Sequence, residues 1–202
     1  PLIVAVFTVL GARRIANAGV LARKAAGIET LGQVTALCVD KTGTLTENRM
    51  SVAASWSWFG VDRLDLLAAG SLACPPQTAD PMESALRRAA SNAGQGWTLV
   101  RTWPFDRELL AAGALYRSSE GRFRLVVKGA PERVAAMAAV TDPTWRTEVA
   151  RFARDGWRVL AVGQAETHGE LHRLQDAPLH MLGLIALADP LRASAPGAIA
   201  QC

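Results

Sequence analysis

A chain of 202 residues, half hydrophobic and a fifth charged, is long enough for one or two domains with a real core and too apolar for a disordered tract. Its formal net charge of +4 suits a polyanionic ligand or an anionic membrane surface, while the lack of a basic stripe with interleaved aromatics argues against nucleic acid. Cys38, Cys74 and Cys202 have neither paired nor metal-like spacing, which speaks against a disulfide framework and fits a reducing compartment; no secretory cleavage site follows the apolar start.

Residues 1–12 are apolar, and Arg13, Arg14, Arg23 and Lys24 follow with no acid before Glu29. A bilayer crossing takes roughly 20 apolar residues, so this run supplies about half of one. The basic cluster reads as the cytoplasmic flank of a membrane helix, and a start at Pro1 as a cut inside a membrane span. A buried amphipathic helix of a soluble protein is the alternative. Alanine-rich residues 15–28 are helical in character, and the β-rich apolar run 34–39 predicts a buried strand that ends at Asp40. Residues 41–46 form a polar turn around Gly43, and 52–59 lean towards β.

Asp80-Pro81-Met82-Glu83 opens a helix that continues through 85–90. Residues 123–127, alternating with Arg122 and Arg124, predict a half-exposed strand; Gly129 and Pro131 break it, and a helix follows over 132–140. Another helix closes at 151–155, a strand covers 159–162, and a second long apolar run, 181–188, ends at Asp189-Pro190. The two buried-type strands bracket about 140 residues of different character, which predicts a parallel α/β sheet interrupted by an inserted α+β domain. Ligands of such sheets gather at the carboxyl ends of strands, where Asp40 and Asp189 would both sit. No internal repeat or low-complexity tract is present.

Asp40-Lys41-Thr42-Gly43-Thr44-Leu45-Thr46 carries the clearest chemistry. A carboxylate can attack a γ-phosphate to form an acyl phosphate. Two anions must then approach, so the site needs Mg²⁺ and a lysine, and Lys41 is adjacent. Gly43 allows a tight turn, and Thr42 and Thr44 offer hydroxyls and amides to phosphate oxygens. Thr42 cannot act as a general acid or base as a second aspartate could, so a phosphoenzyme here would persist. A helix-capping aspartate in a strand-to-turn segment is the plainer alternative.

This string resembles the signature of the P-type ATPases, within the haloacid dehalogenase superfamily, and the resemblance extends over essentially the whole chain. Leu10-Gly11-Ala12-Arg13-Arg14-Ile15-Ala16 and Ile28-Glu29-Thr30-Leu31-Gly32 resemble the end of the fourth membrane helix and the stalk. The resemblance implies a partial Rossmann-like (haloacid dehalogenase-type) phosphorylation domain interrupted by an inserted α+β nucleotide-binding domain. It divides the chain into a membrane-helix end (1–12), a stalk helix (13–32), a first part of the phosphorylation domain (33–49), the nucleotide-binding domain (50–180) and the start of a second phosphorylation part (181–202). It implies Asp40 as phosphate acceptor within Asp40, Lys41, Thr42, Gly43 and Thr44, and Asp40 with the Thr42 carbonyl as Mg²⁺ ligands.

The implied partners are ATP and a transported cation whose carboxylates lie in membrane helices outside this segment, at the cytoplasmic face of a membrane. Asp80-Pro81-Met82-Glu83-Ser84-Ala85-Leu86 is similar to a segment whose glutamate helps hold adenine. Asp80, Pro81 and Glu83 equally make a capping box, and Glu83 can serve both roles. Pro104-Phe105-Asp106-Arg107 resembles the segment that supplies an aromatic face for adenine, with Phe105 and Arg107 as contacts; a plain core Phe is the alternative. Relatives often carry a lysine about five residues later, where this chain reads Leu109-Leu110-Ala111-Ala112.

Lys128-Gly129-Ala130-Pro131-Glu132 matches a further nucleotide motif, its alternative being an exposed lysine before a helix. Arg158 resembles a phosphate-contacting arginine, and Asp189-Pro190-Leu191-Arg192 the hinge that returns to the phosphorylation domain, adding Asp189 and Arg192 to the nucleotide set. The motif set points to calcium, sodium or proton pumps; the heavy-metal branch uses a His-Pro pair, and none of His168, His172 and His180 precedes a proline. Later motifs of the family, a threonine-glycine-aspartate loop, a phosphate-binding lysine and an aspartate-rich Mg²⁺ loop, do not occur in the sequence. Besides a pump segment, the sequence allows a nucleotide-binding module without turnover and a soluble phosphatase of the same superfamily.

Overall fold

The computed structural model describes residues 2–90, 93–167, 169 and 171–202. Pro1 and His168, which figured in the sequence reading, lie outside the described residues. The chain divides into two compact units, Pro1–Asp40 with Pro196–Cys202, and Lys41–Ala195.

In the first unit, α1 (Leu2–Asn17) and α2 (Ala25–Leu31) meet where a Cβ on Gly11 would lie 3.0 Å from Ile28 Cγ2. The single helix expected over 15–28 is interrupted because Gly19 takes a left-handed conformation (φ 84°) that ends α1. None of the residues described in α1 is buried, and among the described residues no helix is long and apolar enough to cross a membrane. The strand expected over 34–39 does not form. Residues 33–40 have no regular structure and are exposed, with Val34 51% and Leu37 63% accessible. A buried parallel strand needs hydrogen-bonded neighbours, and among the described residues none pairs with this run.

The second unit is built on a six-stranded sheet in the order β1-β6-β5-β4-β3-β2, formed by β1 (Ser51–Ser57), β2 (Trp97–Asp106), β3 (Ala111–Ser118), β4 (Phe123–Gly129), β5 (Arg158–Thr167) and β6 (His180–Ala188). Every neighbouring pair is antiparallel. The apolar run at 181–188 thus does form a strand, but not in the expected parallel sheet. A continuous apolar run reports burial of both faces, which parallel strands usually have; it carries no information on strand direction.

Both faces of β6 are covered here. On one side α3 (Arg63–Leu72) and α4 (Pro81–Ala89) bring Leu66, Leu67 and Leu86 onto Val126, Val162, Ile185 and Leu187. On the other, α5 (Pro131–Met137) and α6 (Thr144–Arg154) bring Val134, Trp145 and Phe152 onto Leu125, Val127, Ala161 and Leu184. Residues 125–127 and 184–187 alternate strictly between the two cores, as the pleat requires. The chain is therefore α/β, with helices on both faces of an antiparallel sheet. Leu125–Gly129 of β4 is buried rather than half-exposed, because β4 lies inside the sheet between β3 and β5. At Gly183 (φ 151°) an added Cβ would lie 2.2 Å from the Trp56 carbonyl oxygen, so β6 can approach β1 only with glycine there.

Phe152 is 2% exposed at the centre of the α6 contact, whereas Phe59 is 99% exposed. Phe152→Ala is expected to lower unfolding free energy by about 3–5 kcal/mol, and Phe59→Ala by less than about 0.5 kcal/mol, in urea denaturation followed by circular dichroism.

Candidate functional site

Within the second unit, one cleft of about 550 Å³ draws its walls from five elements of the sheet and its helices. Glu83 comes from α4, Phe105 from β2, Lys128 and Gly129 from β4, and Arg158 from β5. Asp80, Met82, Leu110, Ala130, Pro131, Val159 and Leu160 complete the lining, which is mainly apolar.

The start of α4 explains how Glu83 is aimed. Asp80 caps the helix, its Oδ1 accepting from the N–H groups of Met82 (2.8 Å) and Glu83 (3.0 Å). The reciprocal arm of a capping box is absent, because the Asp80 N–H donates to Thr78 Oγ1 at 3.1 Å instead. The Glu83 carboxylate is thereby free to accept from the Thr78 hydroxyl and from Lys128 Nζ, the latter at 2.5 Å. Lys128 is 7% exposed, so it is a buried cation held by a carboxylate rather than a surface lysine. Beside the pair lies Cys74, whose Sγ donates to the Gly70 carbonyl at 3.3 Å; burial pushes its thiol up to about 11, so it stays neutral at physiological pH.

Phe105 is 60% exposed at the end of β2, so it is a cleft wall rather than a core residue. Asp106 organises the following turn. Its Oδ1 accepts from the N–H groups of Glu108 (2.7 Å) and Leu109 (2.9 Å), and these bonds, led by Leu109, hold its carboxyl below the ordinary range. The turn delivers Leu110 in a left-handed conformation (φ 53°) at the cleft edge. Arg107 sits in the same turn, exposed and outside the cleft lining. Gly129 allows a close approach, but of the chain to itself: a Cβ there would lie 2.5 Å from the Leu110 carbonyl oxygen.

A smaller recess of about 140 Å³ shares Asp80, Met82 and Arg158 with the cleft and reaches Lys41, Thr42 and Asp189. Its floor is the turn Lys41–Leu45, closed by the Thr46 N–H on the Lys41 carbonyl (3.1 Å), with Gly43 at φ 80°. Asp189 and Arg192 hold this turn and do not line the cleft. Thr46, 1% exposed, donates its hydroxyl proton to Asp189 Oδ2 at 2.5 Å and accepts from the Gly43 N–H at 3.2 Å. The Arg49 N–H donates to Asp189 Oδ1 at 2.9 Å. Arg192 donates from Nη2 to the Gly43 carbonyl (3.0 Å), from Nε to that of Thr44 (3.1 Å) and from its N–H to that of Leu45 (2.8 Å). The Thr46 hydroxyl, more than any other group, holds Asp189 below the ordinary carboxylate range.

The carbonyls of Lys41, Gly43, Thr44 and Leu45 are thus engaged. A backbone carbonyl oxygen is the kind of ligand a hard cation such as Mg²⁺ takes. Among the described residues no group of three or more His, Cys, Asp or Glu side chains could hold a metal, so such an ion would depend on few protein oxygens and on ligand phosphates. Asp40 is exposed and lies outside regular structure. Thr78 was not singled out from the sequence, and Thr46 and Leu110 were read there only within longer strings. The Asx turn begun by Asp106 was the available signal for Leu110; Thr78 acts on Asp80 and Glu83, two and five residues away, whereas Thr46 acts through Asp189, which only folding brings near.

Homologues of this chain are P-type ATPases. It is 27% identical over 213 residues to a plasma membrane ATPase of Dunaliella bioculata, covering 100% of this chain and 18% of that protein. It is 29% identical over 243 residues to a probable cation-transporting ATPase I of Mycobacterium tuberculosis, covering 96% of this chain and 14% of the relative. With a plasma membrane ATPase of Kluyveromyces lactis it shares 30% identity over 207 residues, 95% of this chain and 22% of the relative. The chain spans roughly a fifth or less of the length of these relatives and is homologous, over nearly its whole length, to a segment of them. No protein-family model matches it.

Because Asp189 is held below its ordinary range, the Thr46–Asp189 tie is complete above the ordinary carboxylate pKa and is lost as pH falls through the depressed value. Carboxyl-carbon NMR should therefore show Asp189 titrating low, and Thr46→Val should return it towards the ordinary range.

Proposed function

We propose that this chain is a segment of an ATP-driven, cation-transporting P-type ATPase in which Asp40 accepts the γ-phosphoryl group. The observation that carries this reading is the convergence of Glu83, Phe105, Lys128, Gly129 and Arg158 on one cleft from four separate elements. A nucleotide base fits the apolar part of such a cleft, stacked on Phe105, with Glu83 and Lys128 offering an acceptor and a donor to its edge. The adjoining recess, reached past Arg158, leads towards Lys41 and Thr42 and gives the phosphates a path.

In the reaction, an Asp40 carboxylate oxygen attacks the γ-phosphorus, the bond to the β–γ bridging oxygen breaks, and ADP leaves with that oxygen. Lys41 offsets the charge of the approaching anions. The Asp40 carboxylate and the Thr42 carbonyl would hold Mg²⁺, which supplies further charge neutralisation when bound. Asp189 and Arg192 act by holding the turn that carries Thr42 and Gly43, rather than by touching nucleotide. Arg107, outside the cleft, is assigned no nucleotide contact.

A second reading, nucleotide binding without turnover, is favoured by a specific observation: the cleft is fully formed, yet residues 33–40 leading to Asp40 form no strand. Incubation with γ-labelled ATP and Mg²⁺ separates the two. Acid-stable, hydroxylamine-labile label that disappears in Asp40→Asn supports phosphoryl transfer by this chain. Bound nucleotide without label supports the binding module, and no binding at all removes both. Lys128→Ala should weaken ATP binding by about tenfold or more in titration calorimetry, because it also strands the Glu83 charge; Lys41→Ala should cost less.

A further inference from the structure

The cleft and its recess carry balanced charge, with Lys41, Lys128 and Arg158 set against Asp80, Glu83 and Asp189 in their lining. A separate open cavity of about 620 Å³ does not. Gln77 and Thr78 line it from the loop before α4, and Ser84, Arg87 and Arg88 line it from α4 itself. Its described lining thus holds two cations and no acid.

Arg87 is half-buried, and a partly desolvated cation ordinarily has a carboxylate against it. Among the described residues neither Arg87 nor Arg88 takes part in an ion pair. Arg87 Nη1 donates to the Pro75 carbonyl at 2.7 Å, and Arg88 Nη2 to the Met50 carbonyl at 2.7 Å. Each of these bonds uses one donor of a guanidinium that has five.

The groups that could supply a counter-charge are engaged or neutral. Burial pushes the Cys74 thiol up to about 11 and the Tyr116 phenol above its ordinary value, so both stay neutral within reach of the Arg87 charge. Glu83 holds Lys128 at 2.5 Å. Asp80 accepts from the N–H groups of Met82 and Glu83 at the other end of α4. Both arginines stand in the last turn of α4, where the helix dipole favours cations, yet a partial charge does not neutralise two guanidinium groups.

We propose that this cavity is an anion site, separate from the cleft, that takes a small phosphomonoester, with Arg87 and Arg88 donating to the phosphoryl oxygens. Two fixed cations match a dianion better than a single carboxylate, and the planar guanidinium fork fits phosphate oxygens. The Ser84 hydroxyl and the Gln77 amide add neutral donors. The volume leaves room for an organic body beside the phosphate. The inference does not depend on what the cleft binds.

The test is a titration of the whole chain with glycerol phosphate and with inorganic phosphate, at constant ionic strength, followed by amide NMR. Glycerol phosphate should give saturable shifts at Gln77, Thr78, Ser84, Arg87 and Arg88, with a Kd of about 1 mM or tighter. Inorganic phosphate should shift the same amides with equal or weaker affinity, and glycerol or chloride should not. Arg88→Gln should weaken glycerol phosphate by about threefold or more, and the double variant Arg87→Gln, Arg88→Gln by about tenfold or more. Arg146→Gln, exposed on α6 and outside this cavity, should change nothing. Saturation at Lys41, Thr42 or Lys128 instead, an equal response to chloride, tighter binding of inorganic phosphate than of the ester, or no saturation up to about 20 mM would each overturn the proposal. If the double variant does not fold, the shifts on the unaltered chain and the Arg88→Gln titration decide.

Discussion

The ion pair between Lys128 and Glu83 is the constraint around which the second unit is arranged. A buried ammonium is tolerated only when a carboxylate lies against it, since desolvating a lone charge costs several kcal/mol. The pair joins the interior strand β4 to the first turn of α4, and so fixes the helix against the sheet at one point. Three small features make Glu83 available for it. Asp80 takes over the capping of α4, Thr78 occupies the Asp80 N–H, and the Thr78 hydroxyl satisfies the second carboxylate oxygen. Each is a local interaction, and together they turn a residue that could have closed a capping box into one wall of a cleft.

The same pair determines the electrostatic character of the site. Because Lys128 is neutralised in place, its motif contributes hydrogen-bonding direction rather than free positive charge. What the cleft then presents is a mainly apolar wall and a paired donor and acceptor. The tight contact of Gly129 with the Leu110 carbonyl belongs to this arrangement too. It brings the β2–β3 turn against the end of β4 and so places Phe105 and Leu110 on the same side as Lys128.

A separate set of bonds organises the turn after Asp40. There a single buried hydroxyl, that of Thr46, joins residues more than a hundred positions apart through Asp189, and Arg192 ties three successive carbonyls of the turn. The turn is therefore defined by its partners at 189–192 as much as by its own glycine.

The sequence by itself determined the motifs and much of the local structure. The Asp80 cap, the α4 start, the β-leaning stretch 52–59, the strands at 159–162 and 181–188, and the break at Gly129-Pro131 are all set by residue type and short-range spacing, which act within a few positions of the chain. Strand direction, the burial of Lys128, the exposure of Phe105 and the failure of residues 34–39 to form a strand were decided only by tertiary structure. An apolar run specifies how much of its surface must be covered, not which neighbour covers it or in which sense that neighbour runs. The sequence likewise left Glu83 open between capping and ligand duties, because its partner lies in another element. The competition was settled when the fold brought Lys128 against it, since an unpaired buried charge costs more than a lost capping bond.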